Sequence, residues 1–251
     1  MSFTYWISSL LRLSKGKLRP RTGAVILAAG SGTRMGAESG LTKQLMLLEG
    51  VPVLVRSIRA FDACEYIDEI VVVARREERK EVALLVKEYN LRKVVRIVSG
   101  GATRRLSALR GLEALSEKCR FIAIHDAARC LVTPAIIADV AATAYATRAA
   151  SAACASHDTI KIVNRNMQVT ETPDRSTVYR AQTPQIFDIN LYRAAAYSAN
   201  TDGVEATDDN RLVERIGHAV KLVDTGEENI KLTTPLDLAI AEVILRRRGE
   251  E

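Results

Sequence analysis

The sequence predicts an α/β fold of the Rossmann-like type, in which helices cover both faces of a mostly parallel sheet. The first observation is a series of short apolar runs, at 24–28, 70–74, 94–98, 121–124 and 220–223. Continuous apolar runs are typical of parallel strands that are buried on both faces. The second observation is that segments with helical spacing separate these runs, and such alternation indicates βαβ units.

The predicted helices begin at recognisable residues. Pro52, Pro134 and Pro235 each open a segment with apolar residues on one face, and proline favours the first position of a helix. A further helix is predicted over 104–115, where leucine recurs at helical spacing. Ligands of parallel sheets bind at the carboxyl ends of the strands, so the loops after the apolar runs are the predicted site.

One stretch interrupts the alternation of strands and helices. Residues 157–182 are polar, with short runs that contain Thr, Val and Tyr and with turn-forming residues at 164–166. This pattern predicts a β-hairpin or arm inserted in the domain. Because the chain has 251 residues and no visible repeat or linker, we assign residues 23–251 to one domain that includes the arm.

Residues 1–22 form a basic amphipathic N-terminal extension outside this domain. They hold apolar residues at helical spacing, among them Phe3, Trp6 and Leu10, with five cations and no acid. Three interpretations stay open: a solvent-exposed extension or upstream start codon, an amphipathic segment that contacts a membrane surface or a partner, and a targeting peptide. A small-residue cleavage site is missing, which argues against the third.

The formal net charge of +6 does not indicate nucleic-acid binding, because the five cations of residues 1–22 account for most of it. The rest of the chain has no basic stripe interleaved with aromatic residues. It also has no run of about 18 apolar residues that would span a membrane. The four cysteines lack CxxC spacing and the three histidines form no HExxH motif. We therefore expect reduced thiols, no protein-held zinc and a cytoplasmic location.

The strongest motif directly follows the first apolar run and reads Ala28-Ala29-Gly30-Ser31-Gly32-Thr33-Arg34-Met35-Gly36. Its glycines allow backbone amides to approach an anionic group, and the planar guanidinium of Arg34 matches phosphate oxygens. Lys43 follows as a second cation for phosphate. The loop is not a P-loop, because GxxxxGK[ST] is missing, and Met35 stands where a dinucleotide fingerprint needs glycine or alanine.

Further blocks carry a resemblance to a known family. Lys43-Gln44 follows the glycine-rich loop, as in sugar-phosphate nucleotidyltransferases. Four more blocks narrow the match: Gly100-Gly101-Ala102-Thr103-Arg104 with Ser107; Ile124-His125-Asp126-Ala127-Ala128-Arg129; Asp158-Thr159 with Gln182-Thr183-Pro184-Gln185; and Asn229-Ile230-Lys231 with Thr233. In this order and spacing, the set resembles the 2-C-methyl-D-erythritol 4-phosphate cytidylyltransferase family of the non-mevalonate isoprenoid pathway. The resemblance extends over roughly residues 23–245.

The resemblance implies a Mg²⁺-dependent transfer of CMP from CTP to a small polyol phosphate. A phosphate oxygen of the acceptor attacks the α-phosphorus of CTP and pyrophosphate leaves, so positioning and positive charge supply most of the acceleration. By resemblance, the stabilising cations are Arg34, Lys43 and Lys231. The implied CTP contacts are Ala28, Ala29, Gly30, Ser31, Gly32, Gly100, Gly101, Ala102, Ser107, Asp126 and Ala127.

The resemblance also implies acceptor contacts and a second subunit. The acceptor-binding residues would be Arg129, Thr159, Arg175, Thr183 and Thr207. In the family the arm crosses to the neighbouring subunit, which predicts a homodimer with composite sites. Asp126 is a candidate Mg²⁺ contact, with the metal held mainly through the CTP phosphates. We expect His125 to be a packed imidazole, because a phosphate monoester is already anionic near neutral pH and needs no strong base.

Three residues depart from the family's commonest pattern. Thr42 and Cys130 stand where proline is usual, and Leu106 stands where an acid is common. Loss of proline at position 42 is expected to leave the loop looser before substrate arrives. Leu106 removes a polar contact near the predicted base site. None of the three removes a cation that the reaction needs.

Other functions stay open from the sequence. The first is a cytidylyltransferase for another polyol phosphate such as ribitol 5-phosphate, against which the His125–Arg129 block argues. The second is a non-catalytic nucleotide-binding or regulatory protein, since a fold does not determine function. Retention of Arg34, Lys43 and Lys231 argues against that, although an isolated Lys or Arg is usually a solvated surface charge. The third is a membrane-surface protein that acts through residues 1–22.

Overall fold

The computed structural model describes residues 19–30, 44–204 and 206–249. The strands within these ranges are β1 (Thr22–Leu27), β2 (Leu47–Leu48), β3 (Val51–Pro52), β4 (Glu69–Ala74), β5 (Val94–Ser99), β6 (Phe121–Asp126), β7 (Ala149–Ala155), β8 (Ile162–Val163), β9 (Val169–Glu171), β10 (Tyr179–Asp188) and β11 (Lys221–Asp224). The α-helices are α1 (Val53–Ala63), α2 (Arg79–Glu88), α3 (Arg104–Ala114), α4 (Pro134–Thr147), α5 (Ile189–Thr201), α6 (Asn210–Arg215) and α7 (Pro235–Arg248).

Seven strands form the central sheet, in the order β11-β7-β10-β6-β1-β4-β5. Strand β10 runs antiparallel to both of its neighbours, and the other described pairings in this sheet are parallel. The predicted mostly parallel sheet is therefore confirmed. The five apolar runs correspond to β1, β4, β5, β6 and β11, whereas the sequence analysis did not identify β7 or β10.

Side chains alternate between the two faces of the sheet, and each face has its own layer of helices. In β1, Ala24 and Ile26 pack in the cluster that includes α1, α2 and α4. Val25, between them, packs in the opposite cluster with α3, α5 and α6. Helices therefore cover both faces, as predicted, because a strand buried on both sides needs an apolar partner on each.

The helix starts follow from local capping. The Thr133 side chain accepts from the Ile136 amide, and Pro134 occupies the first turn of α4. Thr234 and Asp237 form a reciprocal capping box at the start of α7. Pro52 differs from its prediction, because it precedes α1 as the N-cap residue and is not the first helical residue.

The part of residues 157–182 that leaves the central sheet is shorter than predicted. Strands β8 and β9 pair as an antiparallel hairpin around the predicted turn. Residues 179–182 belong to β10, where Tyr179 is paired with Ala155 of β7 in the central sheet. The segment between β7 and β10 is thus the part of 157–182 that leaves the sheet. None of the helices in the described ranges is long and apolar enough to cross a membrane.

A third apolar cluster connects α7 to the loop after β6. Leu48 and Val53 pack there with Leu131, Leu232 and Leu245. The Leu232 amide also donates to the Ala128 carbonyl at 2.8 Å. This packing holds the segment before α7, which carries Lys231, against the carboxyl end of β6.

We expect Gly111→Ala to lower the free energy of unfolding by about 1–3 kcal/mol, the usual cost of an overpacked core. Gly111 lies inside α3, and a Cβ there would come within 2.2 Å of Cγ1 of Val25. Alanine ordinarily stabilises an exposed helix by about 1 kcal/mol relative to glycine. At position 111 we expect the steric clash with Val25 to outweigh this gain, so the substitution should destabilise the protein. Urea unfolding measures the change.

The matched control is Val25→Ala, made alone and together with Gly111→Ala. Truncation of Val25 removes the colliding methyl groups, so the double variant should be more stable than the sum of the two single changes indicates. A Gly111→Ala protein as stable as the parent, or more stable, would contradict the packing described above.

Candidate active site

The carboxyl ends of the central strands bring three loops to one edge of the sheet. The Ala28 amide donates to the Val73 carbonyl at 2.7 Å, and the Ala127 amide donates to the Leu27 carbonyl at 3.0 Å. The Gly100 amide donates to the Ala74 carbonyl at 2.9 Å. The loops after β1, β5 and β6 therefore lie side by side, as the sequence predicts for a ligand site in such a sheet.

Gly100 allows the loops after β1 and β5 to approach closely. A Cβ on Gly100 would lie 2.3 Å from Cβ of Ala29, so no larger residue fits without a shift of the backbone. The Gly101 amide donates to the Ser107 hydroxyl at 3.0 Å, and that hydroxyl donates to the Thr103 carbonyl at the same distance. Ser107 is buried and stabilises the start of α3, while Ala102 is exposed beside it.

The glycine-rich loop is described only at its base. Ala28 and Ala29 lie at the strand edge, and the Gly30 carbonyl accepts from the Gln44 side-chain amide at 3.2 Å. Four predicted site residues lie outside the described residues: Ser31, Gly32, Arg34 and Lys43. Their roles stay predictions from the sequence. The contact between Gly30 and Gln44 brings the two ends of that segment together.

Asp126 lies between two cations at the end of β6. Its Oδ1 accepts from Nε of Arg104 at 3.1 Å, and its Oδ2 accepts from Nζ of Lys231 at 2.6 Å. Burial by itself would raise the pKa of Asp126, but the charges of Arg104 and Lys231 outweigh it and hold the pKa well below its ordinary value. The carboxylate is therefore ionised at every physiological pH.

Arg104 connects the partly buried Asp126 to a fully buried carboxylate that the sequence analysis did not identify. Its Nη1 donates to Oδ2 of Asp209 at 2.5 Å, and Oδ1 of Asp209 accepts from the Tyr192 hydroxyl at 2.6 Å. The Asp209 amide donates to Oε1 of Gln185 at 2.9 Å. Burial would lower the pKa of Arg104, but Asp209 and Asp126 raise it further than burial lowers it.

The available sequence signals for this network were the arginine of the Gly100–Arg104 block and the acidic pair after Thr207. Neither signal indicates that Arg104 contacts Asp209, because the two residues are 105 positions apart in the chain. Buried charges are rarely left without a partner, so the pairing explains how Asp209 can be almost completely buried.

Arg129 extends from the same loop towards the β10 end of the site. Its Nη1 donates to the Asn229 carbonyl at 2.8 Å, and its Nη2 donates to the Ala181 carbonyl at 3.2 Å. Its Nε–H is buried and has no hydrogen-bond partner in the described part of the chain. Burial lowers the pKa of Arg129 from its ordinary value, although the guanidinium stays charged. Both carbonyl contacts are neutral, so the positive charge remains available to an anion.

His125 and Thr183 clamp the loop that carries Asp126. The Arg129 carbonyl can only accept, so Nε2 of His125 donates to it at 3.3 Å and Nδ1 accepts from the Thr183 hydroxyl at 3.0 Å. The Thr183 oxygen in turn accepts from the Asp126 amide at 3.1 Å. The His125 ring also packs on Phe61, with 4.8 Å between centroids. Burial lowers the pKa of His125 to about 3, so it is a neutral packed imidazole.

The structure thus brings Asp126, Ala127, Arg129, Thr183 and Lys231 together with the bases of the glycine loops. The remaining predicted acceptor residues are exposed. Thr159 and Arg175 are on the arm, and Thr207 precedes Asp208 and Asp209. The hydrogen bond of Arg175 that the structure describes runs to the His157 carbonyl, within the arm itself.

These features define a class of protein. A Rossmann-like parallel sheet, close-approach glycines at the strand ends, and cations gathered around one carboxylate are the parts that a nucleotidyltransferase needs to hold a nucleoside triphosphate.

Comparison with known proteins identifies the family within that class. Residues 22–247 match the sequence profile of 2-C-methyl-D-erythritol 4-phosphate cytidylyltransferase, and the chain belongs to that family. The protein of this name from Caldanaerobacter subterraneus subsp. tengcongensis is 42% identical over 225 residues, which is 89% of this chain and 98% of the relative. Its counterpart from Parasynechococcus marenigrum is also 42% identical, over 90% of this chain and 99% of the relative.

A solved structure agrees with these relatives. The crystal structure of 4-diphosphocytidyl-2C-methyl-D-erythritol synthase from Anaerococcus prevotii superposes with a TM-score of 0.82 at 31% identity. The alignment covers 91% of this chain and 97% of the other. The predicted family and α/β fold are therefore both confirmed.

The depressed pKa of His125 makes stability depend on pH. Its folded pKa of about 3 lies below the unfolded value of about 6.5, so the unfolded chain binds the extra proton between these values. The contribution of neutral His125 to the free energy of unfolding is therefore fully present above a pH of about 6.5. It decreases as the pH falls towards the folded pKa, by at most about 1.4 kcal/mol per pH unit. Urea unfolding between about pH 6.5 and 4.5, above most carboxylate titrations, measures this slope.

The variant His125→Asn lacks the titrating ring and should show a flatter pH dependence, whatever its absolute stability. The exposed His157→Asn is the matched control for the loss of a histidine. Equal slopes for His125→Asn and the parent would show that His125 is not the group responsible.

Proposed function

We propose that the protein transfers CMP from CTP to 2-C-methyl-D-erythritol 4-phosphate and releases pyrophosphate. The observation that carries the proposal is the Asp126 carboxylate held between Arg104 and Lys231 at the strand edge, in a chain of this family. The curated relatives carry the name of this activity, and none of those described above is named for ribitol 5-phosphate. The methylerythritol acceptor is therefore favoured over the ribitol alternative.

The reaction requires alignment and positive charge more than covalent chemistry. An oxygen of the acceptor phosphate forms a bond to the α-phosphorus of CTP, and the bond from that phosphorus to the bridging oxygen breaks. The leaving electron pair stays on pyrophosphate. Lys231 is half-buried and paired with Asp126, so it is positioned to move from that carboxylate to a phosphate oxygen. Arg34 and Lys43 are the other proposed charge-stabilising residues.

The nucleotide is proposed to bind along the loops after β1 and β5. Backbone amides of residues 28–32 would hold the phosphates, and the loop of Gly100, Gly101 and Ala102 would hold the base. The close approach of Gly100 to Ala29 supports this placement, because it brings the two loops side by side at the strand edge. Because the Ser107 hydroxyl donates to the Thr103 carbonyl and accepts from the Gly101 amide, it would contact the base through its remaining lone pair.

The acceptor phosphate is proposed to bind Arg129, near Thr183, with Thr207 on the same side. Thr159 and Arg175 would serve the site of a neighbouring subunit, because in this chain they lie on the exposed arm. The arm also exposes Ile162, Met167 and Val169, which are 45%, 79% and 58% accessible. An apolar patch on a projecting hairpin supports a homodimer formed through the arm.

Mg²⁺ is the proposed cofactor, held mainly by the CTP phosphates. Asp126 supplies one ionised carboxylate at the strand edge, and Mg²⁺ commonly takes one or two carboxylates together with substrate phosphates. No group of three or more His, Cys, Asp or Glu side chains within the described ranges is arranged to hold a metal by itself. The residues therefore fit a metal that arrives with the nucleotide and neutralises phosphate charge.

A cytoplasmic location is also proposed. All four cysteines are buried free thiols. Burial raises the pKa of Cys119 and of Cys130 to about 12, so both stay protonated and unreactive. Free thiols are typical of a reducing compartment.

Pyrophosphate release tests the reaction directly. Purified protein with CTP and Mg²⁺ should release pyrophosphate with 2-C-methyl-D-erythritol 4-phosphate and not with ribitol 5-phosphate. Lys231→Ala should lower kcat by about 10²–10³, the usual effect of removing a charge-stabilising contact. The exposed Lys221→Ala of β11 is the matched control and should keep the parent rate. Release with ribitol 5-phosphate alone would identify that compound as the acceptor. Release with neither acceptor would refute the proposed reaction.

Mixed subunits test the composite site. Arg34→Ala and Arg175→Ala should each impair their own homodimers, but a mixed dimer would hold one site with both arginines. Random exchange should then restore about a quarter of the parent activity, because half the dimers are mixed and each has one intact site. Arg165→Ala, at the tip of the arm, is the control and should be active alone. Absence of recovery after verified exchange would place Arg175 in its own subunit's site or in none.

A further inference from the structure

A cavity of about 380 Å³ lies apart from the Asp126 cluster, between α1, the start of α4 and the end of α7. Its walls come from Val51, from one face of α1, from residues 130–134 and from Arg248. Cavities of about 300–1,000 Å³ are typical of small-molecule sites. None of the CTP or acceptor residues proposed above lines it, so it is a separate candidate site.

The polar part of the cavity wall is positively charged. Arg56, Arg59 and Arg248 line it, and no lining residue is acidic. Arg59 is exposed and lies over the Tyr89 ring, 4.7 Å from its centroid. This contact orients the guanidinium without neutralising it.

Arg248 is anchored rather than fully neutralised. Its Nη1 donates to the Leu131 carbonyl at 2.9 Å, and its Nε and Nη2 both donate to the Glu228 carboxylate, at 2.9 and 2.8 Å. Arg247 pairs with the same carboxylate, so two guanidinium groups share one negative charge. Positive charge therefore remains on the side of the cavity formed by α7.

The rest of the wall is small and apolar. Ala60 and Ala63 of α1 face Val132 and Pro134 at the start of α4, with Cys130 beside them. Burial raises the pKa of Cys130 to about 12, even though Arg56 and Arg248 favour its thiolate, so this part of the wall carries a neutral thiol. A ligand that fits both parts has an anionic head and a short hydrocarbon body.

We propose that this cavity binds a small organic phosphate, with the phosphate bound by Arg59 and attracted by the charge of Arg248, and with the hydrocarbon part against Ala63 and Val132. A phosphate monoester carries close to two negative charges at neutral pH and matches the planar fork of arginine. Because the lining residues include three arginines and no acid, the wall favours a dianion over a monoanionic carboxylate.

The position of the cavity links this ligand to the loop of Arg129. Cys130, Val132 and Thr133 line the cavity and directly follow Arg129, and the Val132 amide donates to the Arg129 carbonyl at 3.2 Å. A bound phosphate would therefore restrict the motion of the loop that carries Arg129. If Arg129 holds the acceptor, as the proposed function states, the ligand changes the KM for the acceptor more than kcat.

The binding test uses n-butyl phosphate as the probe, with butyrate and n-butanol as the monoanionic and neutral comparisons. Calorimetry on the whole protein, without CTP or acceptor, should show saturable binding of butyl phosphate, weaker binding of butyrate and none of butanol. Ala63→Trp, at an exposed position, fills the cavity and should abolish this binding. Arg59→Gln should weaken it by about tenfold, as expected for loss of one charge-assisted contact.

The control variant is Arg193→Gln, which removes an exposed arginine of α5 outside the cavity and should bind as the parent does. Unchanged binding to Ala63→Trp would place the probe at the active site and overturn the proposal, as would equal affinity for butanol or no binding at all. Because the binding test needs no turnover, its failure is distinct from failure of the proposed reaction. A parent protein whose acceptor KM is insensitive to bound butyl phosphate would refute the link to Arg129.

Discussion

The site depends on one constraint: the Asp126 carboxylate is only 13% exposed at the end of a parallel strand, and cations hold it in its ionised form. Arg104 and Lys231 come from segments more than 100 residues apart in the chain, and each meets a different oxygen of Asp126. Arg104 then connects α3 to Asp209, and Lys231 connects the segment before α7 to β6. One carboxylate thus determines where both the helix after β5 and the segment before α7 approach the strand edge.

Such a cluster is costly to leave incomplete. Removal of Arg104 would leave the Asp209 carboxylate buried without its cation, because that side chain is only 1% exposed. The neighbouring contacts of His125 and Thr183 are neutral, so they stabilise the loop without adding charge. The arrangement therefore combines a rigid neutral clamp with a layer of cations, and an anionic ligand can compete with Asp126 for the more exposed cation, Lys231.

The local patterns predicted much of the fold because they reflect local physics. Apolar runs in β1, β4 and β6 are long enough to be recognised as buried strands, and Pro134 and Pro235 lie in the first turns of α4 and α7, as predicted. Strand β7 was missed because its sequence, AASAACA, consists of small residues with little intrinsic strand preference. It becomes a strand because β10 and β11 pair with it on either side.

The sequence by itself determined the fold class, the family and the chemical types at the site, since glycine spacing and the order of the basic and acidic blocks are local properties of the chain. Only the tertiary structure decided which charges are partners. It placed Asp209 and Tyr192 behind Arg104, left Arg175 on an exposed arm, and formed an arginine-lined cavity behind Arg129. The physical reason is that pairing of buried charges and closure of a cavity depend on contacts between distant segments, which no local pattern encodes.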